Sequence, residues 1–370
     1  MSVKQSEQSE RTLSRFLAHL DVLRKRGAVH FDEKIKAWHV FGYHDTVRVL
    51  TDPVTFSSVA PLAPKQEDYD LFKKGNFVRA DDPVHHRMRG LISWAFTPRR
   101  VAELESRITE VTVRLLDEAD AGGDRWDLIE RLGHPMPFIV IAELLGIPVT
   151  DRRFVKRLSD IFFEVHNADP VPLTRELHTH LLEFVRDRRE NPGDDLTSKL
   201  LAVQDDGVRL DDEEAVGYLG NLLLAGHVTA TSALGNIVLA LHENPEVWAD
   251  LRAKPALIPA AIEESLRLRP SFSRVSGRRV TEDTEIGGQR IPAGAFVLAW
   301  LTTANRDERV FADPDRFDIH RESNSHLTFG KGIHFCLGAP LARLEVRIAM
   351  EILIERYSDI RVRDDVPVNL

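Results

Sequence analysis

Apolar side chains recur at helical spacing along most of this chain. Leu13 to Arg26 and Tyr43 to Leu50 each read as an amphipathic helix. His85 to Ala121 keeps the period with a break at Pro98. Pro135 to Leu145 runs into Gly146 and Pro148, which stop it. Asp151 to Val165 and Leu173 to Arg189 follow, separated by the turn Asp169 to Pro172, and a short helix covers Asp195 to Val203. The longest apolar run comes after Asp211-Asp212-Glu213-Glu214 and continues to about Glu243, before Pro245. Asp211 or Asp212 can cap it, and the acids suit the positive end of a helix. Pro259 to Leu268 and Leu337 to Tyr357 complete the helices. Val29 to Phe41 alternates and turns near Glu33 and Lys34, which predicts a strand pair. Ser273 to Ala299 carries β-branched residues, Gly287-Gly288 and Pro292-Ala293-Gly294, which predicts short strands and hairpins. Leu62 to Phe77 has no period and contains Pro64 and Gly75; it reads as a long loop of the kind that binds ligands. The pattern is mainly α with a small β region. There are no internal repeats, so one domain over residues 1–370 is expected, with Met1 to Arg11 flexible.

One helix needs a membrane check. From Ala215 to Leu241 the only potentially charged side chain is His227, and the run is long enough to cross a bilayer. Asn221, His227, Thr229, Thr231, Ser232 and Asn236 interrupt it, and no basic anchor flanks it. A buried helix in a soluble protein is the expectation. At 370 residues and 43% hydrophobic, the chain can enclose a ligand. A net charge of -9 speaks against nucleic acid as a bulk partner. The single cysteine excludes an intrachain disulfide and a multi-cysteine zinc site, and suits a reducing compartment. No secretory signal is visible, so a cytoplasmic protein is expected.

The strongest chemical signal is Phe329-Gly330-Lys331-Gly332-Ile333-His334-Phe335-Cys336-Leu337-Gly338. Glycines allow a tight turn and close backbone approach to a flat ligand. Cys336 stands just before a long helix, whose N-terminus favours negative charge and lowers a thiol's pKa. Backbone N–H groups there can also hydrogen-bond the sulfur, and a thiolate so held is a soft metal ligand. A lone cysteine elsewhere is ordinarily a small buried hydrophobe; the neighbours change that reading. Extended through Ala339-Pro340-Leu341-Ala342-Arg343, the segment resembles the haem-binding signature of the soluble bacterial cytochromes P-450 at every defining position.

That resemblance covers about Leu13 to Arg363 and implies the cytochrome P-450 fold, with a long central helix over the haem. It implies Cys336 as the proximal ligand of a non-covalently held haem b. His334 is then a hydrogen-bond donor to a propionate, and Phe329 a shield beside the thiolate. Gly330 and Gly338 shape the backbone around the cofactor. Thiolate ligation pushes electron density onto iron and favours O–O cleavage.

Three further motifs take meaning from it. Glu264 and Arg267 are three apart on a helix, which alone is an ordinary surface pair. In the family such a pair is buried and networked with a downstream arginine, here Arg316. His85 and Arg89 share one helix face after Asp82-Pro83; alone they are a basic face, and by resemblance they bind propionates together with Arg278. Ala225-Gly226-His227-Val228-Thr229 places a glycine inside a helix at a cost of about 1 kcal/mol against alanine. Small-residue packing would explain it. By resemblance it is the oxygen-binding kink, with Ala225 and Gly226 beside dioxygen and Thr229 as hydrogen-bond donor to it.

Here the chain departs from the family, in which the residue before that threonine is usually acidic. Val228 cannot ionise or hydrogen-bond. Proton delivery is left to Thr229, water, His227 or the substrate. The expected pocket residues are apolar: Phe77, Phe162, Phe163, Leu222, Leu223, Phe272 and Val275. Family members continue past the last helix through a β-hairpin, whereas this sequence stops at Val368-Asn369-Leu370, so that hairpin is expected to be absent or cut short.

The implied activity is monooxygenation of a small apolar or amphipathic molecule in secondary metabolism, most simply hydroxylation. Oxidative coupling, desaturation and peroxide-driven oxidation are the alternatives. Dioxygen is the oxidant, and electrons come from a separate ferredoxin and its reductase, with Arg99, Arg100 and Lys331 as candidates for the docking face. No nucleic-acid or membrane partner is expected, and the protein is expected to be a monomer.

Overall fold

The computed structural model describes residues 16–25, 27–59, 71–123, 125–148, 171–203, 209–275 and 277–362. The expected helix Asp151 to Val165, with Phe162 and Phe163, lies outside these residues, as do both chain ends and most of the Leu62 to Phe77 loop. The chain divides into two compact units. One comprises Met1–Ser58, Asn236–Phe335 and Leu353–Leu370; the other comprises Val59–Gly235 and Cys336–Ile352.

The first unit holds the β structure. Strands β1 (Val29–Asp32), β2 (Ala37–Val40), β3 (Phe56–Ser57), β4 (Arg278–Val280) and β7 (Phe296–Ala299) form one sheet in the order β1-β2-β7-β4-β3. β5 (Thr284–Ile286) and β6 (Gln289–Ile291) form a separate hairpin that turns at Gly287-Gly288. β1 and β2 pair antiparallel across the predicted turn, with Phe31 opposite Trp38, and β2 then pairs parallel with β7. Val29, Val40, Val49, Phe56, Val280 and Val297 share one apolar core beneath the sheet. Val275, expected at a substrate pocket, packs against this core. A helix the sequence did not predict spans Pro245–Ala253. Pro245 looked like a terminator but occupies the first turn of the next helix, where its missing N–H costs nothing. The helix Ile258–Leu268 follows.

The second unit is helical. It contains Val84–Ser93, Pro98–Ala102, Glu105–Asp120, Pro135–Leu145, Val171–Glu190 and Leu196–Ala202, and the break at Pro98 falls where the pattern placed it. The central helix, Asp212–Glu243, starts in this unit. Its cap is reciprocal: Asp211 Oδ1 accepts from the Glu214 N–H at 2.7 Å, and the Glu214 carboxylate accepts from the Asp211 N–H at 2.9 Å. The acids also reach outward. Lys74 meets Asp211 at 3.3 Å, Arg189 meets Asp212 at 2.7 Å, and His178 meets Glu213 at 2.9 Å. The helix is long and apolar enough to cross a membrane, but Ala215, Val216, Tyr218, Leu219, Leu222 and Leu223 are buried within the fold.

Candidate active site

Cys336 lies between a short turn, Gly332–His334, and the C-terminal helix, Ala339–Arg356. Burial pushes its thiol up; the Gly338 amide, the Arg89 charge, the Ala339 amide and the Arg343 charge pull it down. The helix-start amides lower it, as the sequence suggested, but desolvation raises it by more. A coordinated cation reverses this balance, since metal coordination deprotonates a thiol outright. Gly338 has nothing within 4 Å of where a Cβ would stand, so its flank is open to a ligand. Two amides and two guanidinium charges on one sulfur, beside an open glycine flank, fit a thiolate-ligated haem.

Arg89 is half-buried on the Val84–Ser93 helix, and its charge and that of Cys336 act on each other. His85, one turn earlier, is buried at 2% exposure, with Nδ1 3.4 Å from Asp82 Oδ1. Burial, then the Arg89 charge, lowers the His85 pKa. His85 and Arg89 thus share a helix face as expected.

In the first unit, Gly330 and Gly332 take left-handed backbone angles, φ 72° and 74°, which form the turn before the cysteine. A side chain at Gly332 would stand 2.6 Å from the Leu50 carbonyl oxygen. His334 Nε2 lies 2.8 Å from Ser58 Oγ, a partner that the sequence did not suggest. Phe329 packs near His326 and Phe335, and Arg278 is buried in β4.

The Glu264–Arg267 pair is fully buried and bidentate at 2.8 Å. Its arginine partner is not the side chain of Arg316. Arg316 offers its backbone carbonyl to Arg267 at 3.0 Å while its own side chain is exposed. The guanidinium on Glu264 is that of Arg321, at 3.3 Å, joined by the Asn324 amide at 3.0 Å. Asp313, just ahead of Arg316, takes a left-handed backbone angle, φ 46°. No spacing rule in the sequence marked Arg321.

On the central helix, Thr229 Oγ1 donates to the Ala225 carbonyl at 2.8 Å. Ser232 does the same to Val228 at 3.0 Å. What approaches Gly226 is the Ile141 side chain, 3.1 Å from its absent Cβ. His227 is 2% exposed, hydrogen-bonded to the His134 backbone, and pushed down to about 3 by burial and then by the His134 imidazole. Its neutral form is therefore the favoured one near neutrality.

The other expected pocket residues differ in exposure. Leu222 and Leu223 are buried on the central helix, and Phe272 is 59% exposed. Phe77 faces Tyr218 and His85, ring centroids 5.4 and 6.4 Å away, as part of a core. The adjoining segment explains two glycines that the pattern left unread. A side chain at Gly217 would overlap the Lys74 carbonyl, and one at Gly220 would meet the Phe72 ring.

Comparison with known proteins now adds the class. The cytochrome P450 family, written P-450 here, matches residues 36–254 and 251–367. The chain is 41% identical to the cyclomarin C epoxidase CymV of Salinispora arenicola, over 97% of this chain and 92% of that protein. It is 41% identical to the erythromycin C-12 hydroxylase of Saccharopolyspora erythraea, over 94% and 88%. A solved structure of a mutant of EryK in complex with erythromycin B superposes with a TM-score of 0.86 at 39% identity, covering 95% of this chain and 91% of that one. HmtN, a hydroxylase of himastatin biosynthesis, gives 0.81 at 43% identity, covering 91% and 88%. The chain belongs to the cytochrome P-450 family. It is a monooxygenase with the mainly helical fold of that family, and membership implies a haem-thiolate iron.

Proposed function

We propose that the chain hydroxylates a small apolar or amphipathic molecule of secondary metabolism, with Cys336 as the thiolate ligand of a non-covalent haem b and electrons supplied by a separate ferredoxin and reductase. The observation that carries this reading is the Cys336 sulfur, which receives two amides and lies in the field of Arg89 and Arg343. Bound there, the haem supplies dioxygen activation, which thiolate ligation promotes.

The chain's own residues do the rest. The Gly338 and Ala339 amides spread the thiolate charge, and Arg89 with His85 binds carboxylates of the cofactor in charge-assisted fashion. Family resemblance assigns Arg278 and His334 to the same carboxylates. Phe329 and Gly330 belong with the turn that presents the ligand. Thr229 holds its proton toward Ala225 and leaves its oxygen able to accept from water or a polar substrate group. Val228 supplies no proton, so protons come from water held at the Thr229 oxygen or from a polar group of the substrate. Epoxidation, as in the named relative, is the same oxygen insertion directed at a double bond.

The test compares the parent with Cys336→Ser by the reduced carbon monoxide spectrum. The parent is expected to show the thiolate-type Soret band and the variant to lose it. A red parent protein without that band overturns the reading. A compound screen by Soret shift then finds the substrate, and turnover with reduced ferredoxin against turnover with peroxide identifies the oxidant.

A further inference from the structure

We propose that His227 and Thr231 are positioning residues for oxygen activation: they fasten the central helix to the Gly133 and His134 backbone and thereby set where Thr229 presents its hydroxyl. The inference rests on the monooxygenase reading of Thr229 given above.

It starts from two prolines. The segment Ile129–Gly133 is a π-turn that closes with the His134 N–H on the Ile129 carbonyl at 2.8 Å, and Pro135 begins the next helix. In an α-helix the Gly133 carbonyl would accept from the N–H of residue 137. That residue is Pro137, which has none. A carbonyl so orphaned and buried needs another donor. Thr231 provides it from 98 positions away: its Oγ1 lies 2.7 Å from Gly133 O and 3.0 Å from its own helix's His227 O. His227 hydrogen-bonds the next residue's backbone, at His134, and its ring lies 5.4 Å from the His134 ring and 5.6 Å edge-on to Phe138. His227 and Thr231 are 2% and 1% exposed.

His227 and Thr231 are four apart and so occupy one flank of the helix. The same side of the helix is pressed onto its neighbour at Gly235, where a side chain would stand 3.0 Å from Ile129 Cδ1. Thr229 is two residues from each member of the pair, about 200° round the helix, and therefore on the opposite flank. Holding one flank by two hydrogen bonds to fixed carbonyls fixes the rotation of the other. π-turns recur at functional sites, and this one supplies the anchor. Neutral His227 contributes geometry here and exchanges no proton.

The test uses the haem-loaded protein and two probes that need no substrate. One is the C–O stretch of the reduced carbon monoxide complex. The other is the rate at which dithionite-reduced protein is reoxidised by dioxygen. Thr231→Val and His227→Phe remove a donor each and are expected to shift or broaden the stretch and to speed reoxidation about five-fold, the worth of one hydrogen bond. Thr231→Ser and His227→Gln retain a donor and are expected to stay close to the parent. Across about pH 6 to 8, where an unperturbed histidine titrates, the parent and His227→Gln should give the same profile. Parent-like behaviour in both donor-less variants overturns the proposal. So does loss of one limb of the profile in His227→Gln, which would make His227 a proton carrier. Hydrogen exchange over residues 225–232 and 129–138 should rise together in Thr231→Val, and protection unchanged at both would also sink the anchor. A parent without the thiolate-type band instead removes the monooxygenase reading, while the exchange measurement still decides the anchor.

Discussion

The turn before Cys336 and the helical stretch Ala225–Ser232 are built in different ways. The first is held by backbone. Gly330 and Gly332 adopt left-handed angles, the Phe335 N–H closes on Gly332 O at 3.0 Å, and the Leu50 carbonyl leaves no room for a side chain at Gly332. The second is uninterrupted α-helix, and side chains add to its backbone ladder. Thr229 and Ser232 each donate to a carbonyl one turn back, Thr231 shares its one proton between His227 O and the nearer Gly133 O, and His227 also reaches that other segment. A backbone-held turn tolerates little change and reads as a motif. A helical stretch keeps its backbone bonds when one side chain changes, so Val228 can stand where the family usually has an acid without disturbing the helix.

The largest effect that separates the two belongs to Gly332→Ala. A left-handed alanine costs about 1–2 kcal/mol, and relieving the overlap with Leu50 O adds a similar amount, for about 3 kcal/mol in all. Denaturant unfolding of the haem-free protein should show the loss. A variant as stable as the parent would mean that the turn is not held by its backbone.

This contrast also explains what could be read from the sequence. The Cys336 turn was legible because local rules decide it: glycine for positive φ, and a cysteine just ahead of a helix. The amphipathic helices and the Val29–Phe41 hairpin were legible for the same reason. Arg321 was not, because its approach to Glu264 spans 57 positions. Thr231 on Gly133 was not, although Pro137 already showed that some carbonyl one turn back would lack a donor. The thiol pKa was misjudged because helix-terminus stabilisation is local and visible, whereas desolvation depends on everything packed around the sulfur.

The helical stretch should accept Val228→Glu, since Val228 is half-buried and its carbonyl is already bound by Ser232. Folding stability should change little while proton supply changes. The fraction of electrons lost as peroxide is expected to fall, by up to about ten-fold. That is below the ~10²–10⁴ of a general acid acting where nothing else supplies the proton, because Thr229 with water already does part of this work. Peroxide yield and turnover with a ferredoxin donor measure it. If peroxide release, product distribution and turnover all match the parent, Val228 carries no consequence for proton supply.

The smallest effect on stability, and the sharpest on the cofactor, is expected from Gly338→Ala. Unlike Gly332, Gly338 has no left-handed angle, and an added methyl would meet no atom within 4 Å. By the rule for unstrained, uncrowded sites, unfolding of the haem-free protein should shift by no more than about 0.5 kcal/mol. Yet Gly338 is one of the two residues whose amides bond the Cys336 sulfur, so a methyl there projects from the backbone nearest the metal ligand. If that open flank is where the flat cofactor lies, haem retention drops while the protein fold does not. Transfer of haem to an acceptor protein, timed for parent and variant, reads the first; calorimetry of the two haem-free chains reads the second. Equal haem transfer would place the cofactor away from Gly338 and leave the glycine as a turn residue only. A large stability loss would show that the flank is filled by protein, and the two glycines would then differ in degree rather than in kind.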